Sequence, residues 1–358
     1  MRNNRQILIF QIISWVIAYI FFGVITFLYD EARIGLINEQ FRGDLFFTLR
    51  LNIIVGILVG LALGSIDIFL KNISNERRSF RFYIITKSVL YTIAFIVILN
   101  VIVLGAASNY LEQVLKLSLG VKESKIIRNI IFILTLYSIL VSILISFLAE
   151  VNKKFGPGIL LRLFLGKYHS PKVEERIFMF LDLKSSTVYA EKLGHIKYSQ
   201  LIQDCFNDLN TLVLKYKAEI YQYVGDEAVL TWIVDRGFEH INYLRFYFAF
   251  QNKINGKSNY YKEKYGLVPE FKAGVNGGNI TVTEVGDIKR EIAYHGDVIN
   301  TAARIQEKCN TYNQKLLISE FLANKTDSDK GFAVEEIGQV TLKGKELPVK
   351  IFSVDLHT

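Results

Sequence analysis

Cysteine is nearly absent from this chain, with two in 358 residues, Cys205 and Cys309. They stand far apart in helix-like contexts without the short spacings of a thiolate metal site, which leaves no disulfide framework or zinc module to organise the fold. Both are expected as reduced core thiols in a reducing compartment. The apolar runs near the N-terminus have their own absences. The first is too long for a signal-peptide core and has no clear small-residue cleavage site, so it is expected to remain as a helix. No chain of Asp, Glu and His runs through them to suggest transport. The two charges within them, Asp67 and Lys87, sit near span ends and are expected to snorkel to an interface.

What is present is unevenly spread. The hydrophobic content of 51% is only slightly above a soluble average. It is concentrated in four runs, about 7–28, 48–70, 82–104 and 126–149, while the remainder has the pattern of a charged globular domain. Each run reaches the ~20 residues needed to cross a bilayer core, so a four-helix transmembrane domain is expected over 1–150. Arg2 and Arg5 precede the first run, and Lys71, Arg77, Arg78 and Arg81 crowd the second connection, while the first loop is acidic on balance. That asymmetry places both termini in the cytoplasm. It also accounts for much of the net charge of +8, so no nucleic-acid partner is expected.

A connector follows over 151–175. Gly156-Pro157-Gly158 must interrupt any helix continuing from the last run. The apolar stretch after it, with Arg162, Lys167 and His169 interspersed, reads as a helix on the membrane surface, as a coupling element against a second copy, or as both.

Residues 176–358 read as an α+β domain. An apolar strand ends at Asp182, where Ser185, Ser186 and Thr187 offer hydroxyls to cap a following helix. Apolar positions from Tyr198 to Tyr216 recur at helical spacing. EIYQYVGDEAVLTWIV is a hairpin about Gly225-Asp226, and a second helix covers about 238–254. Three more strand patterns precede a helix starting near Asp297. This is the split ferredoxin-like (palm-type) order, expected as an antiparallel sheet with helices on one face and the other face open to a partner.

The chemistry lies at the turns. Asp182 at a strand end and Asp226 at a hairpin tip are brought together by neighbouring strands, and two carboxylates so placed can bridge two divalent cations. In HGDVINTAARIQEKC, Asn300 and Arg304 stand i, i+4 on one helix face, while Ala302 and Ala303 let that helix pack closely. They suit a transition-state clamp, Asn300 on a ribose and Arg304 on developing phosphate charge. Lys343, beside Gly344, could hold terminal phosphates.

FLDLKSSTVYAEKLG, YQYVGDEAVLTW, YHGDVINTAARI and LKGKELPVKIF, in this order over about 176–355, resemble the successive motifs of the class III adenylyl/guanylyl cyclases. The resemblance implies Mg²⁺- or Mn²⁺-dependent attack of a ribose 3′-hydroxyl on the α-phosphate, giving a 3′,5′-cyclic nucleotide and pyrophosphate. It makes Asp182 and Asp226 ligands for two metals, Asn300 and Arg304 transition-state residues and Lys343 a phosphate contact. Metals and clamp lie on opposite subunits in the family, so a homodimer is implied. Four spans ahead of the domain resemble bacterial members anchored in the inner membrane with a cytoplasmic catalytic domain. The base-reading positions depart from the pattern: Gln222 stands where adenylyl cyclases usually carry lysine, and Ala293 where they carry Asp, Thr or Ser. Gln222 can still donate to and accept from adenine. ATP is the expected substrate; GTP, or a catalytically silent nucleotide-sensing dimer, are the alternatives.

Overall fold

The structure is a computed structural model that describes residues 2–34, 44–73, 80–106, 123–155, 166–288, 290–326, 331–341 and 348–356. Gly156-Pro157-Gly158, most of the stretch after it, and Lys343 lie outside the described residues. Two compact units are present, Met1–Lys154 and Phe155–Thr358.

The described part of the first unit consists of helices α1 (Arg2–Ile34), α2 (Leu45–Ile73), α3 (Phe80–Ala106) and α4 (Glu123–Phe155). Three contain stretches long and apolar enough to cross a membrane: Ile7–Tyr29, Leu45–Leu70 and Phe132–Ala149. In α3 the apolar stretch is shorter, Ile85–Ile98, so among the described residues three rather than four spans meet that measure.

Gly56, Gly60 and Gly64 form a strip on α2 against which α1 lies. A Cβ added at Gly60 would stand 2.5 Å from the Cα of Ile12. Apolar helices gain no hydrophobic energy by associating in lipid, so close backbone approach over small residues supplies the packing instead. The four-residue spacing of these glycines was legible in the sequence.

Beside this contact is an aromatic core of Trp15, Tyr19, Tyr91 and Phe95. Beside it lie Asp67 and Lys87, with Lys87 Nζ 5.1 Å from the centre of the Tyr91 ring. The expectation that they snorkel outward is overturned: they face each other, Lys87 Nζ lying 3.0 Å from Asp67 Oδ1 with side chains 6% and 9% exposed. The Gln11 amide donates to Asp67 Oδ2 at 2.6 Å and to the Tyr91 hydroxyl at 3.0 Å. A buried charge is tolerated where its partner and hydrogen bonds are supplied locally.

The second unit runs β1 (Lys172–Leu183), α5 (Ser186–Val213), β2 (Glu219–Val224), β3 (Glu227–Ile233), α6 (Val234–Phe238), a 3-10 turn (Glu239–Ile241), α7 (Asn242–Gly256), α8 (Ser258–Tyr265), β4 (Phe271–Val285), β5 (Glu291–His295), α9 (Asp297–Thr311), β6 (Leu316–Ser319), α10 (Glu320–Thr326), β7 (Phe332–Val340) and β8 (Val349–Leu356). The strands form one sheet in the order β2-β3-β1-β4-β6-β8-β7, with β5 paired to β4. Its β2-β3-β1-β4 part has the ferredoxin-like order.

Several expectations are corrected. The sheet is mixed, because β4 and β6 pair in parallel. The second face is not open: α9 covers part of it, packing on Phe178, Phe180 and Val229 through Ala302. The first strand begins at Lys172, four residues before the expected boundary. Ser185 is left-handed (φ 59°) and makes no side-chain cap. Left-handed His240 and Ile241 break the expected second helix, and α7 begins after them. The connector's last residues, 166–169, form a turn, His169 N–H donating to the Gly166 carbonyl, and buried Tyr168 joins the α9 face of the sheet.

Candidate active site

β1 lies between β3 and β4, and its alternating side chains are covered by helices on both faces of the sheet. Ile177, Met179, Leu181 and Leu183 meet α5 and α7, while Phe178 and Phe180 meet α9. Asp182 continues the second series to the end of the strand, where cover thins and its side chain is 22% exposed. The register puts Glu227 of β3 and Lys272 of β4 directly beside it. Three neighbouring strands thus present a carboxylate, a carboxylate and an ammonium in a row.

Asp226 comes from the adjoining turn, where Gly225 adopts the left-handed conformation (φ 61°) that closes a tight hairpin. The hairpin brings Asp226 close enough to act electrostatically on both Asp182 and Glu227. Among the described residues its Oδ2 is buried without a hydrogen-bond partner. Helix α9 closes the site from above. A Cβ at Gly274 would stand 2.1 Å from the Gln306 amide nitrogen, so only glycine lets α9 come down onto β4 there. That approach puts the Gln306 side-chain amide 3.0 Å from Asp182 Oδ2, and Lys272 Nζ lies 3.2 Å from the same oxygen.

Burial raises the pKa of Asp182, and the Asp226 charge pushes the same way against Lys272 and Gln306. Glu227 is pushed up to about 7, by burial first and then by Asp182 and Asp226. Carboxylates held together against their own repulsion, one with an orphaned buried oxygen, fit a hard divalent cation. Among the described residues no group of three or more His, Cys, Asp or Glu forms a complete metal cage. A cation here would draw further oxygens from water and a phosphate substrate, as magnesium ordinarily does.

The other expected residues fall elsewhere. Asn300 is exposed and Arg304 half-buried on α9. Among the described residues neither side chain has a hydrogen bond or ion pair, and none ties them to Asp182 or Asp226. Gln222 on β2 is exposed, next to Tyr221, and Ala293 on β5 lies next to Tyr294. The two tyrosine rings meet edge to face at 4.9 Å, which brings these strands against each other. Cys205 and Cys309 are buried free thiols with pKa values pushed up to about 12 by burial, and are therefore unreactive.

Sequence reasoning did not single out Glu227, Lys272 or Gln306. Glu227 could have been found by its adjacency to Asp226. Lys272 and Gln306 required knowledge of strand register and helix seating.

Together the sheet order and carboxylate pair define a palm-type α+β domain suited to cation-assisted phosphoryl chemistry. Residues 169–355, more than half of the chain, match the model of the adenylate and guanylate cyclase catalytic domain, and the chain belongs to that family. It is 33% identical over 218 residues to adenylate cyclase 2 of Rhizobium meliloti (strain 1021), a match covering 61% of this chain and 60% of that relative. A shorter match, 34% over 88 residues, is to the terminal-differentiation-specific adenylate cyclase of Dictyostelium discoideum, covering 24% of this chain and 4% of that protein. In three dimensions the chain resembles a bacterial light-regulated adenylyl cyclase, with a TM-score of 0.52 and 14% identity over 60% of this chain and 62% of the other. That likeness concerns the fold. Members of the family generally use divalent cations.

Proposed function

We propose that this chain is a membrane-anchored adenylate cyclase that converts ATP to 3′,5′-cyclic AMP and pyrophosphate at sites shared by two copies. The observation that carries the reading is the convergence of Asp182 and the partly orphaned Asp226 at one end of β1 and β2–β3, while Asn300 and Arg304 stand without partners among the described residues. The substrate assignment is supported by the 33% identity to a named adenylate cyclase.

In this reading Asp182 and Asp226 hold two divalent cations, magnesium or manganese. When bound, these supply activation of the ribose 3′-hydroxyl and neutralisation of phosphate charge. The 3′-hydroxyl releases its proton to water as its oxygen bonds to the α-phosphorus and the bond to the departing pyrophosphate breaks. Arg304 of the other copy holds the charge that develops on the phosphate, and Asn300 orients the ribose. Gln222 donates to and accepts from the adenine edge; Ala293 offers only shape. Lys343 holds the terminal phosphates. The helices up to Phe155 anchor the chain in the inner membrane, the segment between Phe155 and Lys172 links them to the domain, and N-terminus and catalytic domain face the cytoplasm.

The test is to supply the purified full chain, in detergent, with ATP or GTP and Mn²⁺, and to identify the product by mass spectrometry. Cyclic AMP is expected. Cyclic GMP as the main product would reassign the base, and absence of either product from a dimeric sample would refute the enzyme reading. Protease protection in oriented vesicles tests topology; a catalytic domain on the outer side would overturn it.

A further inference from the structure

The pair formed by Asp182 and Lys272 has no role in the reading above, and its geometry gives it one. Lys272 is not a surface lysine that happens to reach a carboxylate. It rises from β4 directly across from Asp182, its side chain is 13% exposed, and Gln306 shares the Asp182 oxygen it contacts. Elsewhere in the unit, the Lys184–Glu270 pair has both side chains 49% exposed and is solvated. Lys272 is therefore held where a bound cation would exert its charge. Oδ2 of Asp182 takes both the ammonium and the Gln306 amide.

We propose that Lys272 is a built-in counter-ion that occupies Asp182 in the absence of a divalent cation and competes with that cation for the carboxylate. This rests on the reading of Asp182 as a cation ligand. The physical ground is Coulombic. A dication brought onto Asp182 lies within a few ångströms of the ammonium, where solvent screening is incomplete. Lys272 thereby sets the cation concentration at which the site fills, and it spares Asp182, Asp226 and Glu227 their full mutual repulsion while the site is empty of substrate. It is a positioning residue that acts through Asp182 and needs no contact with the nucleotide.

The test is Mn²⁺ binding to the full chain in detergent without nucleotide, read as loss of the free Mn²⁺ signal by electron paramagnetic resonance. Lys272→Met and Lys272→Gln should tighten Mn²⁺ binding about tenfold, or ~1.4 kcal/mol. Lys272→Arg, which keeps the charge, should stay near wild type. Unchanged or weakened binding in the neutral variants would overturn the competition, as would an equal shift in Lys272→Arg. Should neither neutral variant fold, wild type still decides. The rate at which an amine-reactive reagent modifies Lys272, followed by mass spectrometry, should rise on adding Mn²⁺, and an unchanged rate counts against the proposal. Asp182→Asn separates the two levels. If it leaves Mn²⁺ binding intact, the ligand assignment fails and the competition with it. If it abolishes binding while Lys272→Met changes nothing, only the competition fails.

Discussion

Among the described residues, the Asp67–Lys87 pair of the first unit and the Asp182–Lys272 pair of the second have similar separations and opposite surroundings. Lys87 and Asp67 meet at 3.0 Å among apolar helices, with side chains 6% and 9% exposed, and Gln11 and Tyr91 complete the network. Lys272 and Asp182 meet at 3.2 Å at a sheet end, 13% and 22% exposed, beside an orphaned oxygen of Asp226 and a Glu227 pushed up to about 7. The helix pair is closed in charge: one ammonium balances one carboxylate and Gln11 donates to Asp67 Oδ2, although Asp67 Oδ1, like Asp226 Oδ2, is buried without a hydrogen-bond partner among the described residues. The sheet pair is open, with more carboxylate than one ammonium can balance. A pair of the first kind holds elements together; a pair of the second kind leaves room for a cation. In both units a helix reaches the site because its neighbour offers glycine, Gly60 beneath α1 and Gly274 beneath α9.

The sharpest way to break this comparison is to show that the open pair has no catalytic role. Arg304→Ala should lower kcat by about 10³–10⁵-fold, and Asp182→Ala should be inactive. Mixing the two inactive chains should restore part of the activity by rebuilding one intact shared site. Failure of that rescue in a proven heterodimer would refute the placement of clamp and carboxylates on opposite copies.

Next in size is the closed pair. Asp67→Ala strands a buried ammonium and should destabilise the helical unit by about 3–5 kcal/mol. Replacing Asp67 and Lys87 together with leucine should cost far less. Trp15 fluorescence in a Trp232→Phe background reads this unit alone, since the chain has two tryptophans. Equal losses in the single and double variants would remove the distinction between closed and open pairs.

Gly274→Ala should destabilise the second unit by about 1–3 kcal/mol through overpacking, followed by Trp232 fluorescence in a Trp15→Phe background. It should also lower activity by lifting Gln306 from Asp182. Full activity in a stable Gly274→Ala chain would show that α9 seating is not what arranges the site.

The smallest effect is the pH dependence of the cation-free form. The Glu227 carboxyl titrates near pH 7 in the fold against an ordinary value of 4.5. Between those values the folded state holds more protons than the unfolded one, so its stability falls as pH rises through this window. The change should be about 1–2 kcal/mol, less than the full shift because the group is partly exposed, and Glu227→Gln should reduce it, leaving the smaller part that comes from the raised Asp182 carboxyl. Urea midpoints at pH 5 and pH 8 in chelator measure it.

Much of the site was legible because its parts are local. The hairpin at Gly225-Asp226, the strand ending at Asp182 and the i, i+4 pair Asn300 and Arg304 each follow from spacing within a short segment. Lys272 and Gln306 did not stand out because each is an ordinary residue in its own segment. They gain meaning only from a cross-strand neighbour 90 residues away in sequence, at Asp182↔Lys272, and from a helix seated on Gly274. Asp67 and Lys87 were misjudged for a related reason: position along a helix indicates depth, but not which helix face meets a neighbour.

By itself, then, the amino-acid sequence determined the division into an apolar helical part and an α+β domain and the ferredoxin-like core, which rest on periodicity and short motifs, and it put forward Asp182, Asp226, Asn300 and Arg304 as candidates. The tertiary structure alone decided that α9 covers part of the second face, that the sheet is mixed, that Asp67 and Lys87 pair, and that Lys272 and Gln306 hold Asp182. Those facts depend on strand register and on how closely backbones approach, and both are set by packing between segments far apart in the chain.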